Sequence, residues 1–175
     1  MNGGSNPPPS TPYTNSGTFI NTNSPISAQS NANAITSWHY CYYPSAASDS
    51  QLTYTATVGV WRLNTATNQY ELLPGSDFTL SEQPKSTLAV IVCRTENLQA
   101  QDYVPVQMGD VVGVSLPEQN PLPMVATDTT GFGLQVVNVP MNAPAALQAA
   151  ALNNAPDMAL HLFPTVGMCN MKLNC

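Results

Sequence analysis

Four cysteines and two histidines are the residues of this chain whose types could support covalent or metal chemistry. The cysteines are Cys41, Cys93, Cys169 and Cys175. An even count on a polar chain fits two disulfides made in an oxidising compartment. Zinc is disfavoured. The cysteine spacings are long, the close pair has five residues between its members, and His39 and His161 form no ligand doublet. The expected pairing is Cys41–Cys93, each inside a β-like run, with Cys169–Cys175 closing a small terminal loop. Cys41–Cys169 is the competing pairing.

Other catalytic arrangements leave weaker traces. No G-x-S-x-G elbow, P-loop or dinucleotide fingerprint occurs. Gly131-Phe-Gly133 has too few glycines, and no helix behind it, to cradle phosphate. His39, between Trp38 and Tyr40, and His161, in an apolar run, read as structural. A calcium loop needs several oxygen ligands close together. Asp110 and Asp128 read instead as caps of turns, and no pair of acids is spaced as a glycosidase would need. The expectation is a chain that is not an enzyme, with no catalytic residue, no metal and no cofactor. Trp38, Tyr40, Tyr42 and Tyr43 are the residues with binding potential. Period-two alternation puts Trp38, Tyr40 and Tyr42 on one face and His39, Cys41 and Tyr43 on the other. One face must be core; the other could stack on sugar rings or meet a partner.

Composition narrows the partners. Only 8% of residues are charged, against about 25% in an ordinary domain. Arg62, Lys85, Arg94 and Lys172 are the whole basic complement, and the formal net charge is −6. No basic stripe can form, so nucleic acid is excluded as a partner and an anionic membrane surface is disfavoured. No apolar run has the length of a membrane-crossing helix. No Asn-X-Ser/Thr acceptor is present, so Asn, Thr, Ser and Gln must keep the surface wet.

These residues must be positioned by strands. Ile35–Tyr43, Leu52–Leu63, Gln69–Leu73, Asp77–Leu80, Tyr103–Val106, Val111–Leu116, Pro121–Val125, Gly133–Val139 and Ala159–Phe163 are short, β-branched or aromatic, and bounded by turn residues. Ser86–Arg94 is apolar enough to suggest a strand buried on both faces. Pro74-Gly75-Ser76 and Met108-Gly109-Asp110 are turns. Gly113, in mid-strand, implies a bulge or the close approach of another backbone. Trp61 is expected inward, with Arg62 outward and paired with Glu71. Ala143–Asn154 has the composition of one short helix.

The pattern is all-β: an antiparallel β-sandwich of jelly-roll type, with an extended N-terminal arm and at most one short helix. Residues 1–20, rich in Pro, Ser and Asn, read as a linker or arm; 21–168 as the sandwich; and 169–175 as a cysteine-bearing tail. The start lacks the basic and apolar regions of a signal peptide, so either the chain is not secreted or, the reading favoured here, it is a segment of a longer precursor.

Three stretches in order resemble a β-rich module of extracellular, cell-surface proteins of sponges and other early-branching animals. They are Ile35-Thr-Ser-Trp-His-Tyr-Cys-Tyr-Tyr43, then Val60-Trp-Arg62 with Tyr70-Glu-Leu-Leu-Pro-Gly-Ser76, then Val104-Pro-Val-Gln-Met-Gly-Asp-Val-Val-Gly-Val114. They span the central part of the chain, residues 30 to 126. The resemblance implies a modular, non-enzymatic ectodomain and carries no binding residues with it. The expected function is extracellular recognition or adhesion, with a protein or carbohydrate at a cell surface as partner. The alternative is a structural subunit of a filament or matrix that pairs with copies of itself through its sheet edges.

Overall fold

The computed structural model describes residues 10–14, 16–22, 25–27, 33–44, 51–83, 91–128, 135–137, 146–148, 153–154, 158–160 and 162–168. Among them the chain is all-β, in two sheets whose strand pairs are antiparallel. The first sheet holds β1 (Ser10–Tyr13), β3 (Asn33–Tyr42), β7 (Val92–Asn97), β8 (Val104–Val106), β10 (Met124–Asp128), β14 (Met158–Leu160) and β15 (Leu162–Met168). The second holds β2 (Gly17–Ile20), β4 (Tyr54–Asn64), β5 (Gln69–Leu72), β6 (Phe78–Glu82), β9 (Val111–Leu116), β11 (Gln135–Val137), β12 (Ala146–Gln148) and β13 (Asn153–Asn154). The chain passes back and forth between the sheets, an arrangement compatible with a sandwich of jelly-roll type.

Alternation in the two longest strands explains the core. In β4, Tyr54, Ala56, Val58 and Val60 turn one way and meet Trp38, Tyr40 and Tyr42 of β3 in a single apolar cluster. Phe19, Leu80, Val114, Leu116 and Met124 complete it from both sheets. Burying each large apolar side chain contributes roughly 1.5–3 kcal/mol.

Trp61 takes the opposite face of β4. It is buried, but in a second small cluster with Ile20 and Val111 rather than in the main core. Its ring lies over Gly59 and Gly113, which face each other across β4 and β9. A Cβ at Gly113 would stand 2.5 Å from the Phe19 carbonyl oxygen and 2.7 Å from the Trp61 ring. The close approach expected at Gly113 is thus real, and it comes from β2 and from an indole plate.

Several expectations need correction. Residues 10–20 are not a linker. β1 pairs with β10, and β2 lies between β9 and β11 with Phe19 and Ile20 buried, so Ser10–Tyr13 and Gly17–Ile20 belong to the folded unit. No helix forms in the described part of 143–154. Ala146–Gln148 pairs with β5 and Asn153–Asn154 with β11, because an open sheet edge offers those backbones partners that outweigh helix propensity. The longest helical element among the described residues is a 3-10 turn, Ala100–Asp102. Of Ser86–Arg94, residues 86–90 lie outside the described residues, and the described end is not a doubly buried strand: β7 is largely exposed, with β3 its partner among the described residues.

Candidate functional site

The aromatic run of β3 divides as alternation requires. Trp38, Tyr40 and Tyr42 are buried at 0%, 1% and 3% exposure, so this face is core and not a stacking platform. Tyr43 is half-buried, beyond the end of the strand. Tyr40 and Tyr42 stack at 6.3 Å and reach one carboxylate from the opposite sheet. Tyr40 Oη donates to Glu82 Oε1 at 2.7 Å and Tyr42 Oη to Oε2 at 3.0 Å. Arg94, across from Tyr40 on β7, brings Nε to 3.5 Å from the same carboxylate. Burial, then the Glu82 hydrogen bond and charge, push both phenols above their ordinary value of 10.0. The Glu82 charge raises Arg94 in turn. The group acts as a latch between the two sheets. Trp38 Nε1, buried beside it in the core, has no hydrogen-bond partner among the described residues.

The opposite face of β3 carries the residues with chemical potential. Cys41 faces Cys93 of β7 directly, and the two form a disulfide with Cα atoms 4.0 Å apart. Cys169, Cys175 and His161 lie outside the described residues, as does the Thr129–Gly131 part of the Asp128 loop.

Two positions back along the strand, His39 sits between two hydroxyls. Thr95 Oγ1 is 2.7 Å from Nδ1 and Thr165 Oγ1 is 2.8 Å from Nε2. A neutral imidazole satisfies both by donating to one and accepting from the other. Phe163 lies opposite His39 on β15 and is 59% exposed.

The bulge in β3 sets this arrangement. Thr165 pairs with Ser37 and Val166 with Ile35, leaving Thr36 as the extra residue. There β3 exchanges β8 for β7 as its neighbour, and the Leu98 N–H donates to the Thr36 carbonyl at 2.9 Å. The outward positions of the three strands are uncharged: His39 and Cys41, Cys93, Thr95 and Asn97, Phe163 and Thr165. Arg94 and Glu96 occupy the alternate positions of β7, on the Tyr40 and Trp38 side.

At another margin, Arg62 pairs with Asp110 rather than Glu71. Nε and Nη2 reach the two carboxylate oxygens at 2.7 and 2.8 Å. Asp110 also accepts the Gln107 N–H at 2.7 Å, so it caps its turn as expected, at 1% exposure. Glu71 accepts from Asn64 Nδ2 instead. A cleft of about 330 Å³ opens between the β5–β6 turn and the β7–β8 connection, walled by Phe78, Leu98 and Tyr103 and edged by Asp77 and Asp102. Among the described residues, no group of three or more His, Cys, Asp or Glu is placed to hold a metal ion. No described helix is long and apolar enough to cross a membrane.

The sequence places His39 and Cys41 on one face and pairs Cys41 with Cys93, but gives no sign of Thr95, Thr165 and Phe163. Those three come from strands 56 and more residues away, and only the register of β7 and β15 brings them together. Comparison with family models, with curated proteins and with solved structures finds no match for this chain.

Proposed function

We propose that the chain is a non-enzymatic extracellular recognition or adhesion module, a jelly-roll sandwich that contacts its partner through the outer face of β3, β7 and β15. The observation that carries this reading is Phe163, an exposed aromatic ring beside an imidazole held at both nitrogens, on a face without charge. Fixed groups lose little entropy on binding, and an uncharged aromatic surface suits a neutral glycan or a protein surface better than an ionic ligand. The Cys41–Cys93 bond supports an oxidising compartment. Cell-surface proteins of the kind the central segments resemble are the setting proposed for it.

Beads coated with the protein should adhere to cells or to neutral glycan surfaces. Phe163→Ala should lower that adherence about tenfold, the effect of losing a central aromatic anchor, with an unchanged β spectrum. Failure of the unsubstituted protein to bind any such surface sinks the reading.

A second reading is a structural subunit that assembles edge to edge. It is favoured by β7, which is exposed, lacks proline and has one partner strand among the described residues. Negative-stain microscopy and light scattering separate the two. Fibres would favour the subunit, and a stable monomer the recognition module.

A further inference from the structure

We infer that the Cys41–Cys93 disulfide is a thiol-exchange site, at which an incoming thiol is captured on Cys93 and Cys41 is released. Three observations point there. Cys93 is exposed on β7, while Cys41 is half-buried on the inner strand β3. A thiolate must approach the sulfur it attacks along the S–S axis, from the side away from the leaving sulfur. For Cys93 that side is the edge of β7 away from β3, where no described strand pairs. For Cys41 it is the side of β3 that β15 and β10 occupy.

The third observation is that β7 does not depend on the bond. Backbone pairing holds it to β3 from Ser37–Asn97 through Tyr42–Val92, and Arg94 is tied to Glu82. Opening the disulfide leaves those contacts in place, so exchange proceeds in the folded protein.

The step balances. The thiolate RS⁻ forms a bond to Cys93 Sγ, the Cys93–Cys41 bond breaks, and the electron pair leaves on Cys41 as a thiolate. The products are RS–S–Cys93 and Cys41–S⁻, which takes a proton from water. The co-reactant is a thiol, either small or a cysteine of another protein. A second attack by Cys41 restores the original bond and expels RS⁻. The inference is independent of the recognition reading, since it concerns only the reactivity of the bond.

Reduced glutathione is the probe. The full chain is incubated with it without denaturant, quenched with iodoacetamide and mapped by peptide mass. The expected result is glutathione on Cys93 and the alkyl group on Cys41, with the far-ultraviolet β spectrum retained. Mapping separates these from any adduct on Cys169 or Cys175. In Cys41→Ser, where Cys93 is a free thiol, oxidised glutathione replaces the reduced form: the Cys93 thiolate attacks its disulfide, one glutathione leaves as thiolate, and the adduct on Cys93 should persist because the resolving thiol is gone. Modification only after denaturation, adducts divided equally between Cys41 and Cys93, or loss of the β spectrum on reduction would each overturn the inference.

Discussion

At the scale of single residues, the two sides of β3 show how one alternation produces two chemistries. Inward, Tyr40 and Tyr42 share the Glu82 carboxylate, which therefore carries two charge-assisted hydrogen bonds. Tyr40→Phe should cost about 1.5 kcal/mol at neutral pH, read by urea denaturation, because Glu82 loses a donor. The pH dependence has a definite sign. Both phenols have folded values above the ordinary 10.0, so the folded state holds these protons more tightly than the unfolded chain. Their contribution is complete below pH 10.0 and declines as pH rises towards the folded values. The protein should lose stability in alkali, and Tyr40→Phe should flatten that loss; an unchanged alkaline slope would contradict the latch. At Gly113 the constraint is steric. Gly113→Ala places a methyl group against the Phe19 carbonyl and the Trp61 ring, and should destabilise by about 2–3 kcal/mol in the same assay. Residue patterns made Gly113, Asp110 and the Cys41–Cys93 pair legible in the sequence. Arg62 was not: its cross-strand neighbour is indeed Glu71, yet the guanidinium turns to a turn residue that no local pattern connects to it.

At the scale of elements, the sequence was read well where strands alternate over many residues and poorly where they are short. β3, β4 and β9 fall close to the expected runs because each has several buried positions at period two. β2 was hidden. Gly-Thr-Phe-Ile has only two large apolar residues and sits in a Pro-, Ser- and Asn-rich stretch, so its local signal is that of a linker. Its strand character comes from its neighbours: β9 on one edge, β11 on the other, and Thr18 Oγ1 2.8 Å from Ser115 Oγ. The consequence is testable by truncation. Removing residues 1–20 deletes Phe19 and Ile20 from the interior, a loss of roughly 3–6 kcal/mol of burial. Set against a total stability of about 5–15 kcal/mol, that should abolish cooperative unfolding, followed by circular dichroism. A truncated chain that still melts cooperatively would return the segment to the role of spacer. The same dependence on neighbours defeats the helix expected near Ala146, whose backbone answers the open edge of β5.

For the molecule as a whole, scarcity of charge leaves few barriers to close approach, and the edges show what remains. Pro12 in β1, Pro105 in β8 and Pro164 in β15 each lie in a strand with one partner among the described residues, where the missing N–H discourages further pairing. β7 has no such residue. Among the described residues the ion pairs are Arg62–Asp110 and Arg94–Glu82, both within the molecule. The net charge of −6 is then the main long-range repulsion between copies, and it vanishes near pH 4.4. Light scattering should rise reversibly as pH falls towards that value. Asn97→Lys adds a cation to exposed β7. The substitution shifts the neutral point slightly upward, so the comparison belongs at each variant's own neutral pH. If copies meet through the β7 edge, scattering there should fall several-fold, since an edge lysine opposes strand addition. If they meet elsewhere, the two proteins should scatter alike at matched charge. Absence of any rise at the neutral point would mean that polar side chains alone keep the copies apart, and the filament reading would lose its physical basis.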